Sequence, residues 1–181
     1  MKRNSKIHDP KGAALIEFAA AFLLLVVFFF IPLVNLSFIA LRYFIAEGAI
    51  QEFAHRLALT DKRSESYANL AGDSFWSDFC RGSGIEVNSS KLELVICGAN
   101  SGEELRLQEG ERVPDEWLPG GSKAPCIYTY DLSARITIPA IYNGGPPIPA
   151  VSAPLQIKID GRSAFENLSR NPASTEYFIN E

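Results

Sequence analysis

The sequence predicts an α+β protein, a long N-terminal helix followed by a small antiparallel β-sheet head. Three patterns in its 181 residues point there. An uncharged apolar run stands near the start, an amphipathic repeat follows it, and strict apolar–polar alternation recurs in the second half.

The apolar run extends from Phe18 to Leu41, 24 residues without a charge. As a helix it reaches roughly 36 Å, enough for a hydrocarbon core of about 30 Å. A cleaved secretory signal has a shorter apolar region with a small-x-small site just beyond it, and Ala46-Glu47-Gly48 lies too far along for that. The first 12 residues carry Lys2, Arg3, Lys6 and Lys11 against Asp9, a balance of +3. The positive-inside rule then keeps the N-terminus cytoplasmic and translocates everything after the helix. Pro32 lies midway along the run and is expected to kink the helix, because its nitrogen cannot donate.

Past the run, Ala46, Ile50, Phe53 and Leu57 recur at helical spacing with Arg42, Glu47, Glu52 and Arg56 between them. This stripe predicts an amphipathic extension over residues 42–60 that folds back onto its own head, ending near Thr60-Asp61. Residues 61–90 are mixed, with Phe75, Trp76 and Phe79 marking a short packed helix before Gly82 and Gly84. The rest of 61–181 reads as a β-rich head. Tyr128 to Ile138 alternates apolar and polar and is the clearest strand; Leu155, Ile157 and Ile159 mark a second, and Lys91–Cys97 a third. Between the first two lies PAIYNGGPPIPAVSAP, an irregular connection by its prolines. The tail from Asn167 on is expected to fray or dock weakly.

Charge and chemistry narrow the function. From Asp61 onward there are 11 Lys+Arg against 17 Asp+Glu, a balance of −6, which argues against nucleic-acid binding. His8 and His55 do not cluster, no Cys-x-x-Cys occurs, and no metal, cofactor or small-molecule substrate is expected. Glu52 and His55 form a lone Glu-x-x-His, better read as a solvated helix face. Gly82-Ser83-Gly84, Gly120-Gly121 and Gly144-Gly145 read as turns, and no nucleophile motif is present, so no enzyme is expected. Cys80, Cys97 and Cys126 all fall in the translocated part, where disulfides persist. Three pairings are possible. Cys97 ends one predicted strand and Cys126 opens the next, which favours Cys97–Cys126; closing that 30-residue segment stabilises by about 2–4 kcal/mol.

One residue departs from the plain membrane reading: Glu17 stands at the mouth of the apolar run. A basic leader ending in Gly12, then Ala13-Ala14-Leu15-Ile16, then Glu17-Phe18 and the apolar stretch, resembles the type IV prepilin signal. More closely, residues 1–45 resemble the TadE-like pseudopilins of Tad (tight adherence) pilus systems. The resemblance implies that a prepilin peptidase cuts between Gly12 and Ala13, so that residues 1–12 are a cytoplasmic leader and 13–41 the transmembrane helix. It implies that Glu17, with Phe18 beside it, meets the new α-ammonium of a neighbouring subunit and sets the register between helices, since either charge alone is costly in a low dielectric. Ala13, Ala14, Ala19, Ala20 and Ala21 would let helices approach closely at that level. Expected partners are the peptidase, other pilin-like subunits and assembly machinery of a bacterial inner membrane, and membrane lipid. The alternatives are a single-pass anchored domain that binds an extracytoplasmic partner, and a pseudopilin of type II secretion.

Overall fold

The structure is a computed structural model and describes residues 10–72, 75–141 and 152–181, with side chains from Ala14 onward. Lys2, Arg3 and Lys6 of the expected leader and most of the proline-rich connection, residues 142–151, lie outside the described residues.

The chain begins with helix α1 (Pro10–Leu25), passes through a π-helical turn at Val26–Phe30, and continues as α2 (Ile31–Ala58). Two short helices follow, α3 (Arg63–Gly72) and α4 (Phe75–Gly82). The remainder forms four strands, β1 (Glu86–Gly98), β2 (Glu104–Leu107), β3 (Cys126–Ile138) and β4 (Leu155–Ala164). They make one antiparallel sheet in the order β2-β1-β3-β4. Helix first and antiparallel sheet second is the α+β arrangement that the periodicities predict.

Strand register follows from the pleat. In β3 the residues Tyr128, Tyr130, Leu132, Ala134, Ile136 and Ile138 are all buried, and Leu94 opposite Tyr130 and Ile157 opposite Ile136 share their face. That face meets Ala46, Ala49, Ile50, Phe53, Ala54 and Leu57 of α2, the stripe expected to fold back on the head. Full burial of Ile50, Phe53 and Leu57 contributes about 1.5–3 kcal/mol each. Gly161 of β4 lets the helix come this close. A Cβ there would stand 2.6 Å from the Ile50 carbonyl oxygen.

The helix also guards a sheet edge. The Gln51 side chain donates to the Asp160 carbonyl at 3.4 Å and accepts from the Arg162 amide at 3.2 Å, standing in for a fifth strand along β4. An open edge of that kind would otherwise template pairing with another chain.

Several elements differ from expectation. Strand β2 is not among the strands expected from the sequence; it is short, with Leu105 and Leu107 alternating with Glu104 and Arg106. Helix α3 gives the core only Tyr67 and Leu70 and is held besides by hydrogen bonds. Arg63 is buried and donates to the carbonyls of Gln108 and Glu111 at 2.5 Å each, and Ser66 lies 2.9 Å from the Tyr130 hydroxyl. Helix α4 ends in a Schellman turn: the Ile85 amide bonds the Cys80 carbonyl, the Gly84 amide bonds that of Arg81, and Gly84 has φ +70°. The tail does not fray. Ile179 is fully buried, and the Asn180 side chain brackets Val113 through the Val113 amide and carbonyl.

The expected Cys97–Cys126 bond is not formed in the structure, where Cys80, Cys97 and Cys126 are free thiols. The register explains it. Cys97 pairs with Ile127 and Cys126 with Gly98, one step apart, and in a regular pleat that offset sends the two side chains to opposite faces.

Candidate functional site

Among the described residues one helix, Ala14–Ala58, is long and apolar enough to cross a membrane. Its 45 residues extend roughly 68 Å, about twice the thickness of a hydrocarbon core. The two halves have different surroundings. From Ala46 the helix is seated on the sheet, whereas Leu15, Phe18, Phe22, Leu25 and Phe28–Phe30 are exposed all round, Leu15 and Phe18 at 72%. So large a bare apolar surface is suited to lipid or to neighbouring apolar helices, not to water.

Glu17 stands exposed within this bare half, and no hydrogen bond or ion pair joins it to another described residue. Phe18 stacks on Phe22 one turn further on, with ring centroids 6.3 Å apart. Gly12 and Ala13 fall in the first turn of α1. The amide groups of a first turn have no partners within the helix, so this turn opens at little cost.

Pro32 is the second residue of α2, directly after the π turn. A proline ring clashes with the carbonyl four residues back, here Phe28, and the wider π turn at Val26–Phe30 relieves that crowding. The helix continues beyond it without a break.

The junction between helix and head is polar at its centre. Asn35, 2% exposed, accepts a hydrogen bond from the Ile141 amide at 2.9 Å, and Arg42 donates to the Pro139 carbonyl at 3.0 Å. The Arg42 guanidinium also fills the space beside Gly84, 3.0 Å from where a Cβ would be. The segment leaving β3 is thereby strapped along the helix.

The open face of the sheet carries charge. Asp131, 8% exposed, lies 3.0 Å from Arg162 and 3.5 Å from Arg106, and Arg106 also reaches Glu93 at 3.4 Å. Lys91 at 2.5 Å, aided by Arg106, holds the Glu93 carboxyl below the usual range. The charges compensate one another and converge on no open centre. Glu52 pairs with Arg56 at 2.9 Å, while His55 turns to the Ser163 hydroxyl at 3.3 Å, so the Glu-x-x-His residues do not face a common point. Burial pushes the Cys80 thiol up to about 11. Cys126 is raised by burial and then by the nearby Cys97 sulfur.

Of the residues singled out in the sequence, Gly12, Ala13, Glu17, Phe18 and Pro32 lie on one continuous helix, and Cys97 and Cys126 lie far along the chain in the head. The strap residues Asn35, Arg42 and Ile141 were not among them. Asn35 did carry a signal, as a polar residue in an otherwise apolar run. Set against family models, curated proteins and solved structures, the chain matches none.

Proposed function

We propose that the chain is a membrane-anchored structural or assembly subunit, a TadE-like pseudopilin of a Tad-type pilus, processed after Gly12 by a prepilin peptidase. Its N-terminus is cytoplasmic, its helix crosses the inner membrane, and its sheet head lies on the extracytoplasmic side. The single observation that carries this reading is the placement of Glu17. It is a carboxylate without a described partner near the start of a bare apolar helix, five residues after a glycine that ends a basic leader.

The division of the helix supports the same reading. A bare first half is available to bundle with equivalent helices, while the second half is committed to its own head through Ile50, Phe53 and Leu57. Processing would place an ammonium at Ala13, and the Glu17 carboxylate of an adjacent subunit would pair with it where each charge alone is costly. Such a pair fixes vertical register, as a buried polar residue does in a coiled coil.

The test is piliation of the source bacterium carrying Glu17→Ala. The variant is expected to be cleaved normally, to accumulate in the membrane and to leave pili unassembled. Normal piliation by Glu17→Ala would contradict the register role.

A further inference from the structure

The head is joined to the helix at a level where the helix is still apolar. The segment Pro139–Ile141 leaves β3 and runs along α2 toward its apolar end, held first by Arg42 and then, about two turns nearer the N-terminus, by Asn35. We propose that this strap lies in the outer membrane interface with the Ile141 side chain among the lipid acyl chains, so that the bilayer itself covers the junction of head and helix. The proposal rests on the membrane reading above.

Depth is the first argument. Glu17 and Arg42 bracket the uncharged stretch of the helix. With Glu17 at the inner boundary, about 30 Å of hydrocarbon takes about 20 helical residues and ends near Ser37. Asn35 and Ile141 then fall just inside the outer boundary, and Arg42 more than a turn beyond it. Arg42 and Tyr43 are a cation and an aromatic of the kinds that gather at that interface.

Polar satisfaction is the second. An amide side chain at this depth has no water to bond, and Asn35 is 2% exposed. The Ile141 amide, itself freed where β3 ends, supplies a partner from within the same chain. The Asn35 carbonyl oxygen satisfies the Ile141 amide, so the backbone can enter the interface without leaving that donor orphaned.

Apolar surface is the third. Ile141 is 52% exposed and, with Phe30, Ile31, Val34 and Asn35, lines a cleft of about 150 Å³. Leu33, Leu36, Phe38 and Leu41 are exposed on the same stretch of helix. From Ile136 to Ile141 the chain carries no charge, so nothing ionised must be desolvated to seat the strap in lipid.

The test uses the full chain in vesicles of dioleoyl phosphatidylcholine and phosphatidylglycerol, with phosphatidylcholine brominated at a shallow or a deep acyl position. Trp76 and Trp117 are buried in the head and give an unquenched background. Ile141→Trp is expected to add blue-shifted emission, most of which the shallow-brominated lipid removes. Phe28→Trp, in the middle of the span, is expected to be quenched by the deep-brominated lipid. If Phe28→Trp is quenched and Ile141→Trp is untouched, the strap lies in water or against protein and the proposal is overturned while the span stands. If neither is quenched, the membrane reading falls and the strap proposal with it.

Discussion

Gly161 of β4 lies against the main chain of Ile50, so close that a Cβ would stand 2.6 Å from the Ile50 carbonyl oxygen. The bare half of the helix has no such anchor, which makes this contact the place where head and helix are held to one distance.

Gly161→Ala is therefore expected to push the sheet off the helix and to cost about 1–3 kcal/mol, the range for overpacking a tight site. Gly48, on the same helix, has open space around its Cβ position, and Gly48→Ala is expected to stabilise by about 0.5–1 kcal/mol. Denaturant unfolding of both variants in detergent checks the pair. Equal effects would mean that the helix does not sit on Gly161.

The Tyr130 hydroxyl is fully buried beside Ser66, 2.9 Å away, with Thr60 closing the network at 2.6 Å. Ser66→Ala strands that hydroxyl and is expected to cost about 1–3 kcal/mol, while adding Tyr130→Phe recovers part of the loss. Burial pushes the Tyr130 phenol from 10.0 up to about 12. A raised folded value favours the protonated form, so its contribution is complete below pH 10 and disappears as pH rises through 12. Alkaline unfolding followed by tyrosinate absorbance is expected to lose that step in Tyr130→Phe.

Lys62, at 2.7 Å, with Ser174 and Asn171, holds the Glu181 carboxyl down to about 2 from an ordinary 4.5. A lowered value stabilises the docked tail above pH 4.5, and the effect is lost as pH falls toward 2. Hydrogen exchange at the Phe178 and Asn180 amides is expected to quicken across that window. In Glu181→Gln it is already fast at neutral pH and changes little on acidification.

Much of this head is legible in the sequence where burial is apolar and periodic. β3 sets an apolar residue on its buried face at every second position from Tyr128 to Ile138, and α2 shows its stripe from Ala46 to Leu57. Legibility fails where hydrogen bonds replace apolar area. Helix α3 is seated by Arg63 and Ser66, β1 extends through the polar Asn88–Ser90 stretch with an irregularity between Val87 and Ser89, and the tail is held by Ile179 and Asn180. The apolar run is legible as one long helix, but Asn35 reads as a blemish in that run until Ile141, distant in sequence, arrives beside it.

The cysteines supply a further check. Native labelling with a maleimide is expected to reach the half-buried Cys97 and Cys126 and to spare Cys80, which is fully buried with its thiol raised to about 11. Unfolding is expected to add the third label. Rapid native labelling of Cys80 would show that α4 does not stay closed over it.

The most direct measurement of the central claim is the N-terminal residue of the mature protein, read by mass spectrometry of membrane fractions with and without the prepilin peptidase. The account predicts a peptide beginning Ala13-Ala14-Leu15 that appears only when the peptidase is present. An N-terminus at Met1 or Lys2 under both conditions would contradict it and leave a plain anchored domain in which Glu17 meets no neighbouring ammonium.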